Sequence, residues 1–115
     1  MKKQFRVTSH QEFQEIVHSR HYESNSRFTI YYRFNEYGYP RIGISAPTKL
    51  GTAVTRVLVR RQIRGMIDEL KAELLSYDYV IVARKGYKTN EYQENKEQLR
   101  VLLGKIRRER NEEIA

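Results

Sequence analysis

Tyr79 to Ala83 reads YVIVA, an apolar and aromatic run with no polar interruption, bounded by Asp78 on one side and by Arg84 and Lys85 on the other. A strand with one wet face alternates polar and apolar residues, so an unbroken run of this kind marks a strand covered on both faces. Such a strand belongs in the middle of a sheet, and the rest of the chain must supply both its neighbours and its cover. The run is far too short to span a bilayer.

The cover is predicted from three helical patterns. Ser9 is placed to cap a first helix, with Glu12 at capping-box spacing and Phe13, Ile16 and Val17 at helical spacing to about Arg20. After a loop marked by Pro47, Gly51 and Thr52, a long helix runs from about Ala53 to Ser76, with Val59, Ile63, Met66, Ile67, Leu70 and Leu74 on one stripe facing the core. A last helix is expected from about Glu91 to Arg107, with Leu99, Leu102, Leu103 and Ile106 inward. Residues 107–115 then form a polar tail. Two further strands are read in RFTIYYRF and RIGISA, and the turn chemistry of EYGYP between them predicts an antiparallel hairpin. The order α-β-β-α-β-α in 115 residues gives a single-domain α+β sandwich over residues 1–115, with a small mixed sheet. The strand–helix–strand link predicts a parallel pairing, and general sterics alone would give its crossover the right hand.

Charge narrows the partner. The formal net charge is +8, and between Tyr37 and Ile67 there is no Asp or Glu while Arg41, Lys49, Arg56, Arg60, Arg61 and Arg64 all carry positive charge. A field of one sign attracts polyanions, nucleic acid before anionic membrane. On a helical wheel Arg60, Arg64 and Lys71 line the shoulder of the apolar stripe and Arg61 stands further round. Cations on a helix flank are usually ordinary solvated surface. Here, though, they lie near a helix N-terminus, against its dipole, and like charges four residues apart cost roughly 0.2 to 0.5 kcal/mol per pair. An external anion is the expected compensation, and the planar guanidinium fork suits phosphate. Membrane-surface binding ranks lower because the helix already commits its apolar stripe to the core. The basic N-terminal segment, residues 1–8, has no apolar stretch behind it and does not read as a signal peptide. Absence of cysteine suits a reducing compartment, with the cytoplasm as the expected location.

In RFTIYYRF, Phe28, Ile30 and Tyr32 share one face and Thr29, Tyr31 and Arg33 the other. Tyr31, with Phe13 and Val17 from the first helix, would either line a groove where unpaired nucleotides stack or complete a second small core; the pattern alone favours packing. His10, His18 and His21 are the only imidazoles. The last two are read as a solvated helix end, not as a two-histidine nuclease. No acidic pair has metal-site spacing, and there is no phosphate loop or nucleophile elbow. The chain reads as a binder and not as a self-sufficient enzyme.

The order GISAPTKLGTAVTR…RRQIR followed by DYVIVARK resembles the protein-subunit family of bacterial ribonuclease P, from about Phe5 to Ile106. Gly51, Ala53, Val54, Arg56, Arg61, Ile63 and Arg64 match the family's basic helix, Arg60 stands for its Lys and Thr52 for its Asn. Val57 and Leu58 depart from it, where Asn and Arg are usual. The resemblance implies a ribosomal protein S5 domain 2-like fold with a left-handed crossover, against the general rule. It also implies a protein without catalytic residues that assembles with ribonuclease P RNA and helps it remove the 5′ leader of precursor tRNA. By the same resemblance, no cofactor would be bound by the protein alone, and the Mg2+ that the holoenzyme requires would be held by the RNA. Lys49, Arg56, Arg60, Arg61 and Arg64 would face the catalytic RNA, while Phe13, Val17, Tyr31, Ser45 and Lys85 match the leader-binding cleft, so the resemblance favours the groove over the second core. No membrane and no small-molecule substrate is expected. The alternative is a ribosomal or other structural RNA-binding protein without a processing role.

Overall fold

The computed structural model describes residues 2–114, with side chains as far as 110. Its elements are α1 (His10–His18), β1 (Tyr22–Ser24), β2 (Phe28–Phe34), β3 (Arg41–Ser45), α2 (Ala53–Glu69), β4 (Tyr77–Ala83) and α3 (Tyr92–Ile114), with short 3-10 turns at Lys3–Phe5, Thr48–Leu50 and Lys71–Glu73. The four strands form one sheet in the order β1-β2-β4-β3. β4, the uninterrupted apolar run, lies inside, antiparallel to β2 and parallel to β3.

The predicted hairpin is corrected. β2 and β3 do not pair with each other, because β4 lies between them. The residues joining them step across two strand spacings, about 10 Å. The step is anchored at its start: the Asn35 N–H donates to the Ser76 carbonyl, and Asn35 Nδ2 donates to Asp78 Oδ1 at 2.9 Å. A turn-rich stretch specifies a reversal, not the number of strands it passes over. The three-residue strand β1 has no pattern long enough to be read from sequence.

Paired residues share a sheet face. Phe28 and Ile30 of β2, Ile42 of β3 and Tyr77, Tyr79, Ile81 and Ala83 of β4 form one core with Val59, Ile63, Met66 and Ile67 of α2 and Leu99, Leu102, Leu103 and Ile106 of α3. The other face takes α1, whose Ile16 is fully buried. Ser9 caps α1 as predicted, its Oγ accepting the Glu12 N–H at 3.3 Å. The α2 stripe is inward as predicted, yet the helix stops at Glu69 and not near Ser76. There the Leu70 N–H is shared between the Met66 and Ile67 carbonyls and a 3-10 turn follows. α3 overruns the expected polar tail, continuing beyond Arg107. Glu109 accepts a 2.7 Å hydrogen bond from Tyr32 Oη, and the Arg110 guanidinium lies over the Tyr77 ring. The N-terminal segment is tied to the edge strand, with the Val7 N–H donating to the Ile42 carbonyl and Phe5 packed edge-on against Tyr39.

Two glycines should answer the same substitution with opposite signs. A Cβ at Gly86 would overlap the Ser26 carbonyl oxygen, whereas one at Gly104, inside α3, would meet nothing nearer than Arg108 Nη1 at 3.8 Å. Gly86→Ala is expected to cost roughly 1–3 kcal/mol by forcing two backbone segments apart. Gly104→Ala is expected to stabilise by roughly 0.5–1 kcal/mol through reduced chain entropy. Thermal melting of the two variants checks both signs.

Candidate nucleic-acid interface

Thr52 begins α2, its Oγ1 accepting the Thr55 N–H at 3.2 Å, and no acidic residue occupies the first turn. Lys49 precedes this end, and Arg56, Arg60, Arg61 and Arg64 follow along the helix away from the core. Arg61 and Arg64 are exposed, and Arg56 and Arg60 are half-buried. Among the described residues none of the five side chains forms an ion pair or hydrogen bond, and Arg56 Nε is buried without a partner.

Most arginines outside α2 behave differently. Arg27 is bound to Glu91 and Asn95, Arg33 to Asp78 and Glu15, Arg84 to Ser24 and the Asn25 carbonyl, Arg100 to Glu97, and Arg107 to the Ala72 carbonyl. Arg41, which the sequence groups with the basic block, also belongs here. It grips Asp78 bidentately at 2.9 and 2.8 Å and Glu12 at 2.7 Å, and stacks over Tyr37. Its charge is neutralised inside the fold and does not contribute to the interface. Chain proximity groups it with Lys49 and the α2 arginines, but a carboxylate 37 positions later claims it.

The Asp78 site is a hub. Burial pushes its carboxyl up, but hydrogen bonds from Arg41, Asn35 and Arg33 outweigh that and hold it below the usual carboxylate range. Its hydrogen bond is the first cause raising the Arg41 guanidinium above its ordinary value, with Glu12 adding to it. Since Glu12 and Glu15 lie on α1 and Arg33, Arg41 and Asp78 on three adjacent strands, this cluster fixes α1 on the sheet.

Beyond that clamp the same face continues along β2, β4 and β3. Tyr31 and Gly43 both pair with Val80, and Thr29 and Ser45 both pair with Val82. Tyr31 and Ser45 are therefore on one floor, on the face that α1 covers, and both are half-buried like Phe13 and Val17. Gly43 lets Phe13 settle on β3, because a Cβ there would stand 3.2 Å from the Phe13 ring. Phe13, Val17, Tyr31 and Ser45 thus share one face. Lys85 lies elsewhere, lining with Lys49, Thr55 and Lys88 a depression of about 260 Å³ at the start of α2. Gln62 holds the far wall of that depression, donating to the Thr89 carbonyl and accepting from Tyr87 Oη.

Two features were not singled out from sequence. Tyr22 of β1 pairs with Tyr31, its ring centroid 5.7 Å from that of Tyr31, and is 56% exposed, so the aromatic floor runs to the sheet edge. The signal was an exposed Tyr at the edge of a strand too short to recognise. The second is that, besides the stripe committed to the core, α2 carries Val54, Val57 and Leu58 together in exposed positions. His10, His18 and His21 are exposed, and among the described residues no group of three or more His, Asp or Glu side chains converges as a metal site. No described helix is long and apolar enough to cross a membrane.

A family model described as Ribonuclease P matches residues 1–107. The chain is 47% identical over 94 residues to the "Ribonuclease P protein component" of Mesoplasma florum, covering 80% of this chain and 86% of that protein. It is 41% identical over 103 residues to that of Streptococcus pyogenes serotype M5, covering 90% and 87%. Among solved structures, the RNase P protein of Staphylococcus aureus superposes with a TM-score of 0.73 at 32% identity, covering 82% of this chain and 90% of that one. The Thermotoga maritima protein does so with 0.79 at 25% identity, covering 87% and 96%.

Proposed function

The chain is a member of the ribonuclease P protein family, and from that premise we propose that it joins a ribonuclease P RNA through α2 and receives the 5′ leader of precursor tRNA on the face beside α1. The observation that carries this reading is the division among cations. Most arginines outside α2 have internal partners, while Lys49, Arg56, Arg60, Arg61 and Arg64 have none among the described residues. Unpaired charge on one helix flank is compensated by phosphate, and the resulting affinity falls with salt.

The protein's contribution is positioning. The α2 flank screens phosphate repulsion between the catalytic RNA and the substrate. The floor of Tyr31 and Ser45, walled by Phe13 and Val17, takes the unpaired leader, whose bases have faces for aromatic stacking. Lys85 and Lys49 line the depression at the start of α2 and would hold phosphates of the leader there. Bond cleavage belongs to the RNA and its divalent metal. The work is proposed to take place in the cytoplasm.

The leader half of this reading predicts a length-dependent effect. In the assembled holoenzyme, Tyr31→Ala should weaken binding of precursor tRNA with a multi-nucleotide leader by about 1–3 kcal/mol per unstacked base. Binding of mature tRNA, which lacks a leader, should stay unchanged. Tyr22→Ala should act in the same direction on longer leaders only. Equilibrium binding of precursors of graded leader length measures this; equal losses for precursor and mature tRNA would place the leader elsewhere.

A further inference from the structure

Val54, Val57 and Leu58 of α2 are 81%, 56% and 42% exposed. Their spacing of three and four residues makes them neighbours on one helix surface. On the wheel they surround the direction opposite the core. Arg61 follows in the same line, and Arg56, Arg60 and Arg64 form one shoulder. Single exposed aliphatics are ordinary, whereas three that adjoin on the outermost line of one helix make a contiguous apolar patch, the kind of feature that interaction sites present. Helix propensity does not explain it, since valine is a poorer helix former than the long polar residues usual on an exposed face.

We propose that Val54, Val57 and Leu58 form an apolar docking strip for RNA, one that takes ribose edges and an unstacked base while the flanking arginines take phosphates. This rests on the reading that α2 faces the catalytic RNA. The occupant follows from charge complementarity. The strip lies among Lys49, Arg56, Arg60, Arg61 and Arg64, unpaired among the described residues, in a stretch without acid from Tyr37 to Ile67. A second copy docked about a two-fold axis would bring Arg61 against Arg61. A bilayer calls for a broad apolar face with aromatic or long aliphatic side chains, and this helix points its larger apolar face into the core. Folded RNA offers sugar edges in its shallow groove and splayed bases in loops, beside the phosphates that the arginines need.

The strip gives the complex an attraction of a different kind. Phosphate contacts release counterions and weaken with salt, whereas apolar burial does not. Affinity of the full chain for ribonuclease P RNA, titrated over a range of monovalent salt, separates the two. The Val54→Ser/Val57→Ser/Leu58→Ser variant is expected to bind roughly tenfold or more weakly at every salt concentration, with the slope of log K against log salt unchanged. Its melting temperature should match the wild type, because these side chains face solvent. The Arg60→Ala/Arg61→Ala/Arg64→Ala variant should instead flatten the slope. Wild-type affinity in the serine variant overturns the strip and leaves the RNA-binding role of α2 standing, whereas failure of the wild type to bind the RNA removes both. The strip is also overturned if the serine variant disperses a wild-type dimer in sedimentation, or if it abolishes wild-type co-sedimentation with phosphatidylglycerol vesicles.

Discussion

Asp78→Ala is expected to destabilise the protein by about 3–5 kcal/mol, because it leaves the Arg41 guanidinium buried without its bidentate partner. Against a total of about 5–15 kcal/mol for a domain of this size, that is a large share of the stability. It should lower the melting temperature by on the order of 10–20 °C. Asp78→Asn keeps the shape and part of the hydrogen bonding and should cost less. Acid should act on the same contact. The folded carboxyl titrates below its ordinary range, so its stabilising contribution is complete above the unfolded value of about 3.9 and is lost as pH falls through the folded one. The alanine variant should therefore lose the part of the acid-induced stability change that Asp78 supplies. Since Glu12 and Glu15 tie α1 into the same cluster, the damage should reach the groove first, with leader binding falling more than RNA binding at α2. A variant melting within a few degrees of wild type would mean that this cluster does not hold α1.

The second large effect is expected on the other surface. Arg60→Ala/Arg61→Ala/Arg64→Ala should weaken binding to ribonuclease P RNA by on the order of 10²- to 10³-fold at moderate salt. It should also reduce the slope of log K against log salt by roughly two to three. The fold should survive, because among the described residues no partner is orphaned when these side chains are removed. Relief of like-charge pairs such as Arg60 with Arg64 offsets part of any lost packing. Equal loss of stability and affinity would identify the three arginines as structural. A normal slope with weak binding would move the phosphate contacts elsewhere.

How far these features can be read from sequence depends on the range of the interaction. β4 was legible as the interior strand because continuous apolarity is local, and the Ser9 cap because its partner is three residues away. The hairpin was misread for the same reason: EYGYP specifies a reversal, while insertion of β4 between β2 and β3 is decided by pairing more than 30 residues on. Arg41 looks like its neighbours Lys49 and Arg56 until Asp78 is brought beside it. The basic helix was visible from the absence of acid, and its apolar stripe from the wheel. Val57 and Leu58 stood out as departures from the family pattern, yet the exposure of Val54, Val57 and Leu58 together became clear only once the core side of α2 was fixed. Tyr22 was hidden because β1 is too short to carry a pattern, although its contact with Tyr31 follows from register.

The central claim is that this chain supports RNA-borne cleavage of precursor tRNA through the α2 flank. Its most direct test is cleavage of a 5′-labelled precursor tRNA by a bacterial ribonuclease P RNA at low magnesium, alone, with the wild-type protein and with the triple arginine variant. The account predicts release of the intact leader at the mature 5′ end with the wild type, and little above the RNA-alone level with the variant. Tight RNA binding without any gain in cleavage would contradict it, and would leave a protein that binds RNA structurally and takes no part in processing.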